Sequence, residues 1–246
     1  MDPHLALLSA GVAAATIMGT TIGTAAQAAS FSVIGTIPGG PQIGAAKGDT
    51  LYGTLDYVGD GVLFSFTLNG KYSVLHNFSA ATDGAQPNAR LALDGAGTIT
   101  GTAGQGGTYG AGTIWQYSKT AGFSAPHAFG NGGDGSVPMQ GPTLGPGGVL
   151  YGTTGEGAMN GSGNIWNLAN GTYTVMYDFL SKADGHCPFS GVAVSSNGTL
   201  YGTTVGVGYG GDPWARSGPT PPAASLGPST ILPTEPTANG PIRRRS

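Results

Sequence analysis

The chain is poor in charge, in cysteine and in glutamate. Of its 246 residues only 9% are charged, with 9 Lys and Arg against 12 Asp and Glu. Arg243, Arg244 and Arg245 take three of the nine cations at the extreme C-terminus, which leaves the body anionic. Phosphate backbones are held by clustered Lys and Arg that release counterions, so the composition argues against nucleic acid and anionic lipid as partners. The one cysteine, Cys187, permits no intramolecular disulfide, and the fold must hold by packing. Its neighbour His186 makes half a metal site, and with no second pair the thiol reads as a small apolar group. Glu156 and Glu235 are the only glutamates. No close pair of carboxylates and no G-x-S-x-G, H-E-x-x-H or Cys–His–Asn spacing points to hydrolysis, and no GK[ST] loop points to phosphate. No catalytic residue, metal or cofactor is expected, and an enzyme is the less favoured reading.

What is abundant is glycine, 47 residues, with 17 prolines. Both are costly inside helices, so turns and short strands are expected. Residues 1–28 hold an Ala-rich apolar run from Leu5 and an "AQA" boundary at Ala26 to Ala28, the pattern of a secretory signal cleaved after Ala28. The run is too short and too rich in Gly and Thr to span a bilayer comfortably. The mature chain is therefore expected to be exported, to the periplasm, the cell surface or beyond, with no integral span.

The remainder is periodic. The glycine of each "GT" recurs at Gly53, Gly101, Gly152 and Gly202, in steps of 48, 51 and 50 residues. An aromatic closes "GVLF", "GTIW" and "GNIW" at Phe64, Trp115 and Trp166. A third marker, F-x4-D-G-x-x-P, begins at Phe78, Phe129 and Phe179. Alternating apolar residues flank Asn69-Gly70 and Asn170-Gly171, which predicts type I′ hairpins; Asp94-Gly95 predicts another turn between 89 and 102. Each period thus carries four antiparallel strands, the content of one blade of a β-propeller. Such a sheet cannot bury its faces alone, and must stack on its neighbours. Units are expected to begin near Thr50, Thr98 and Val149. Segments 31–37 and 41–50 read as the last strands of an earlier unit, which trailing strands after residue 198 would complete. The expected fold is all-β, a propeller-like array of about 50-residue units over residues 29–211, with four blades closed by N- and C-terminal strands. An incomplete, open fragment is the alternative. Residues 212–246 are Pro-rich without alternation and read as a disordered tail.

In that order and at that step, "LYGTT", the Gly-rich loop, "GTIW" or "GNIW", the hairpin and "DGxxP" resemble the GloVer tandem-repeat extracellular proteins of bacteria, over about residues 31–211. The resemblance implies export and a propeller-like body, and no catalytic residues.

Asp83, Asp134 and Asp184 open the repeated "DG" turns, where a carboxylate caps backbone amides. His76 and His127 share a position that is Tyr177 in the third copy, so a packing ring is expected there, as it is at Trp115 and Trp166. The loops following each "GT" are least constrained by packing. Tyr109, Glu156, Asn160 and Tyr209 equip them for an extracellular carbohydrate or peptide. The expected function is a secreted, non-catalytic binding module. A structural envelope protein and a polysaccharide-active enzyme on the same scaffold are the alternatives.

Overall fold

The computed structural model describes residues 35–37, 39–180 and 186–204. The expected signal segment, the Pro-rich residues 212–246, Asp184 and Tyr209 lie outside the described residues. Those described form four antiparallel sheets and no α-helix; a single 3-10 turn spans Pro146–Gly148.

The first sheet runs β1 (Gln42–Lys47), β2 (Thr50–Leu55), β3 (Val62–Thr67) and β4 (Tyr72–Asn77) in sequence order. In the second, β5 (Ala85–Pro87) and β6 (Ala92–Leu93) both pair with β7 (Ile99–Gln105), followed by β8 (Thr113–Ser118) and β9 (Gly122–Ala128). The third repeats the order with β10 (Thr143–Leu144), β11 (Leu150–Thr154), β12 (Asn164–Ala169) and β13 (Thr172–Asp178). A two-stranded sheet, β14 (Val192–Val194) and β15 (Leu200–Gly202), opens a fourth.

The all-β units and their step agree with the sequence, but their phase is corrected by one strand. The first, third and fourth sheets begin with the strand before "LYGT", so residues 42–47 are the first strand of the first unit, paired with β2. They are not the end of an earlier one. No ladder joins the first and last sheets among the described residues. The period fixes a step, and only backbone pairing fixes where a unit starts.

The hairpins divide similarly. Asn170 and Gly171 both take positive φ, 51° and 77°, between the paired Ala169 and Thr172, which is the predicted two-residue turn. In the first unit Leu68 adds a residue. Gly70 alone turns left-handed (φ 87°), and its N–H donates to Thr67 O at 2.8 Å. In the turn after β6, Gly97 rather than Gly95 carries the positive φ, while Asp94 Oδ1 accepts from Thr98 N at 2.7 Å.

The core lies between the sheets. Leu63 and Phe78 of the first unit enclose Trp115 of the second, together with Ile99. Ile114, Phe129 and Leu150 enclose Trp166 in the same way, and Ile165, Phe179, Val192 and Leu200 continue the series. Trp115 and Trp166 are wholly enclosed, and their indole N–H groups have no partner. That is why a phenyl ring, Phe64, serves the same position in the first unit.

The "GT" pair is explained by two contacts. A methyl on Gly152 would stand 2.2 Å from Trp166 Cζ2, and one on Gly101 equally close to Trp115. Only glycine lets the ring lie flat on the strand. The threonine reaches the next unit: Thr54, Thr102 and Thr153 hydroxyls donate to Asn88 O (3.3 Å), Gln140 O (3.0 Å) and Pro188 O (2.9 Å). All three threonines are buried, so each donor and acceptor would otherwise stand unsatisfied, at about 1–3 kcal/mol apiece. The strands β1, β6, β10 and β14 adjoin in series, and the backbone at Gly141 passes against Arg90 O so closely that no side chain fits.

Candidate functional site

The histidines and aspartates treated singly in the sequence form pairs. His76 Nε2 lies 2.8 Å from Asp83 Oδ2, and His127 Nε2 lies 2.9 Å from Asp134 Oδ2. The second contact is off the line of a hydrogen bond. Each outer strand has a β-bulge just before the histidine, and the third has one before Tyr177. A bulge re-aims the side chain beside it, here across the gap to the next unit. His76 stacks on Phe123 at 3.6 Å and 6°, and His127 on Tyr173 at 3.8 Å and 3°.

The aspartates hold their own loops and the neighbouring sheet at once. Asp134 Oδ1 accepts from Gly130 N and Asn131 N, both at 2.9 Å. Asp134 O accepts from Tyr173 Oη at 2.6 Å and from Asn164 Nδ2 at 2.9 Å; Asp83 O accepts from Thr113 Oγ1 at 2.6 Å. Burial of the His127 ring lowers its pKa, against the pull of Asp134, and burial raises that of Tyr173. A dyad so stacked and shared with backbone amides clamps two sheets together. The turn-capping and packing expectations for Asp83, Asp134, His76 and His127 agree with this geometry.

Cys187 is half-buried, with its Sγ 3.2 Å from His186 Nδ1. Burial raises the thiol pKa and the Glu156 carboxylate adds to it, so the group stays protonated and a poor nucleophile. Among the described residues no three His, Cys, Asp or Glu side chains gather to hold a metal ion.

The Gly-rich loops share a face. Residues 129–136 of the second unit run between the loop of that unit, 106–112, and that of the third, 155–161. Tyr109 leans on this segment at Gly130, where a methyl would stand 3.0 Å from Tyr109 Cβ, and Met159 leans on it at Gly133, 3.6 Å by the same measure. Glu156 and Ser136 exchange backbone hydrogen bonds of 3.2 and 2.9 Å. Gly107 N donates to Ala80 O at 2.8 Å, tying the first loop back to the first unit. The loop backbones are thus fixed while Tyr109 (53% exposed), Met159 (82%) and Asn160 stand in solvent. Tyr109 and Glu156 border one segment, and Asn160 lies on the same loop as Glu156; Tyr209 lies outside the described residues.

Sequence reasoning missed a second exposed group, where the units meet behind each DG-x-x-P. A methyl at Gly155 would stand 3.0 Å from Met139 Cγ and 3.4 Å from Phe189 Cε1, so these two exposed side chains flank one glycine. They immediately follow the repeated prolines at 138 and 188, and that register was the available signal.

No curated protein matches the chain. Among solved structures, selenomethionine-substituted virginiamycin B lyase from Staphylococcus aureus is similar at 19% identity and a TM-score of 0.47, over 68% of this chain and 50% of that one. The chain therefore spans half the length of that protein. The family description "Gloeobacter/Verrucomicrobia repeat" matches residues 16–213, a stretch that contains every Gly–ring, Thr–carbonyl and His–Asp contact described above. By that match the chain belongs to the Gloeobacter/Verrucomicrobia repeat family.

Proposed function

We infer that this repeat protein is an exported, non-catalytic binding module, a propeller-like row of units whose Gly-rich loop face takes an extracellular carbohydrate or peptide. One observation carries the reading: exposed Tyr109 and Met159 flank the same segment, on loops whose backbones are tied to neighbouring sheets. Fixed backbone lowers the ordering cost of binding. An exposed ring such as Tyr109 and an exposed amide such as Asn160 on the neighbouring loop suit a sugar face or a peptide plane. Among the described residues no helix is long and apolar enough to cross a membrane.

The test is a glycan and peptide array probed with the full chain and with its Tyr109→Ala and Asn160→Ala variants. Saturable binding that both variants weaken, with unchanged melting temperatures, supports the module. Silence across the array favours a structural envelope protein without a discrete ligand. Turnover of a bound polysaccharide would replace the reading with an enzyme.

A further inference from the structure

The Gly-rich loops of three units belong to one continuous rim. Loop 55–61 of the first unit holds segment 78–86: Phe78 N and Gln86 N donate to Gly61 O (2.9 Å) and Asp60 O (3.0 Å), and Asp60 Oδ2 accepts from Ala80 N at 2.8 Å. That segment passes to the second loop, where Gly107 N donates to Ala80 O at 2.8 Å. The second loop holds segment 129–137 in the same way, since Phe129 N and Val137 N donate to Gly112 O and Ala111 O, each at 2.9 Å. Ser136 and Glu156 carry the rim into the third loop. Loop and segment alternate without a break.

Each of these loops exposes a large apolar side chain at a matching place. Tyr57 is 84% exposed, Tyr109 53% and Met159 82%, and they precede the buried rings Phe64, Trp115 and Trp166 by 7, 6 and 7 residues. Single exposed apolar residues are ordinary on a protein surface. Their recurrence at one register on a fixed backbone is not.

The charge of the rim is one-sided. Segments 55–61, 78–86, 106–112, 129–137 and 155–161 contain no Lys or Arg, whereas Asp56, Asp60, Asp83, Asp134 and Glu156 all lie on them. Asp60, Asp83 and Asp134 already accept from backbone amides of the rim, and Asp56 from Gln42 Nε2 at 2.9 Å. Acids so committed recruit few cations, but a sulfate, phosphate or uronate would meet them with no cation to offset the repulsion. What the rim offers a ligand is two rings, a thioether, and the exposed hydroxyl and amides of Thr108, Asn131 and Asn160.

We propose that this rim binds a neutral, linear polysaccharide lying across successive units, each unit contributing one exposed apolar side chain against a sugar face. The proposal rests on the binding-module reading above and gives that module its ligand class. Repetition decides between polymers: equivalent tips recur once per unit, which suits a ligand whose own chemistry repeats, whereas a peptide brings a different side chain to each step. Packed sheets lie about 10 Å apart, so only a ligand longer than that reaches two tips at once. Each further tip engaged raises affinity through effective concentration.

The experiment is calorimetric titration of the full chain with linear gluco-, manno-, xylo- and galacto-oligosaccharides of increasing length, with galacturonate oligosaccharides as the anionic arm and a mixed peptide library as the polypeptide arm. Affinity for the neutral series that binds should climb with length and then level off, and the uronates should bind about tenfold more weakly or worse. Tyr57→Ala, Tyr109→Ala and Met159→Ala should each weaken the longest oligosaccharide about three- to tenfold, at unchanged melting temperature. A loss in Tyr109→Ala with none in Tyr57→Ala and Met159→Ala overturns the continuous rim and leaves a single-loop module standing. Affinity independent of length, or a preference for the uronates, overturns the neutral linear ligand. Peptide binding with every neutral saccharide silent overturns the polysaccharide and keeps the module; silence in all arms removes the module and the proposal with it.

Discussion

Replacing Gly152 by alanine isolates the contact that explains the "GT" motif. The backbone there is not left-handed, so alanine meets no conformational penalty and restricts the unfolded chain, a gain of about 0.4–1 kcal/mol. Against this, the new methyl lies 2.2, 2.6 and 2.8 Å from three atoms of the Trp166 ring. The ring must retreat by about 1 Å to reach ordinary contact, inside a cluster where it has no exposed surface. Overpacking of this kind costs about 1–3 kcal/mol, and loss of part of the ring's burial, worth up to about 3 kcal/mol, adds to it. The net expectation is a loss of about 2–4 kcal/mol, or roughly 5–15 °C in melting temperature for a domain of this size.

The control is Gly95→Ala. Gly95 also has ordinary φ, and a methyl there meets nothing within 4 Å, so this variant should be neutral or slightly stabilised. Thermal unfolding followed by tryptophan emission reads both. A Gly152→Ala melt within about 1 °C of wild type, or a Gly95→Ala loss as large as that of Gly152→Ala, refutes the view that the ring selects the glycine.

Three further outcomes are expected. Thr102→Val removes a hydroxyl that donates to Gln140 O and accepts from Asn88 Nδ2; the buried partners left behind should cost about 1–3 kcal/mol, seen as a lower urea midpoint at unchanged slope, while Thr102→Ser keeps most of the stability. Gln86 is exposed and left-handed (φ 56°) before Pro87; Gln86→Gly relieves about 1–2 kcal/mol against a glycine entropy cost of about 0.5–1 kcal/mol, so the melting temperature should rise, and a fall would refute the strain. His127 has a folded pKa below the ordinary 6.5 because it is buried beside Phe129 and Tyr173. The unfolded chain therefore takes the proton first, and stability present above pH 6.5 is lost as pH falls through that value toward the folded pKa. Asp178, raised by burial, acts in the opposite sense above its ordinary 3.8. His127→Tyr, the ring of the third copy, should flatten the wild-type decline below pH 6.5 in melts across pH 5–8.

The fold was legible where one residue type has one physical reason. Ring, glycine and turn recur at a fixed step because each unit must bury the same ring against the same strand, and that survives in spacing. Phase did not survive, because the partners of β1 and of the two-residue β6 are set only by the ladder. The Asn-Gly turn was correct at 170–171 and altered at 69–70 by one inserted leucine, a change that leaves the alternation intact. Gln86, Val137 and Cys187 are all left-handed before a proline, where local preference gives no warning; their recurrence ties the strain to the passage between sheets rather than to a single active residue.

The candidate site shows the same division at finer scale. The sequence placed Tyr109, Glu156 and Asn160 in loops and read His76, Asp83, His127 and Asp134 one by one. What it did not contain was their joining, since each pair spans seven residues beyond a bulge and then reaches a ring nearly fifty residues on. That joining decides between chemistry and structure. An imidazole stacked at 3.8 Å, with its carboxylate already holding two amides, has neither the freedom nor the substrate space of a base. The third copy carries the reasoning further, because Tyr177 keeps the position and cannot keep the proton transfer. The His–Asp pairs are therefore best understood as the clamps that hold successive sheets in register.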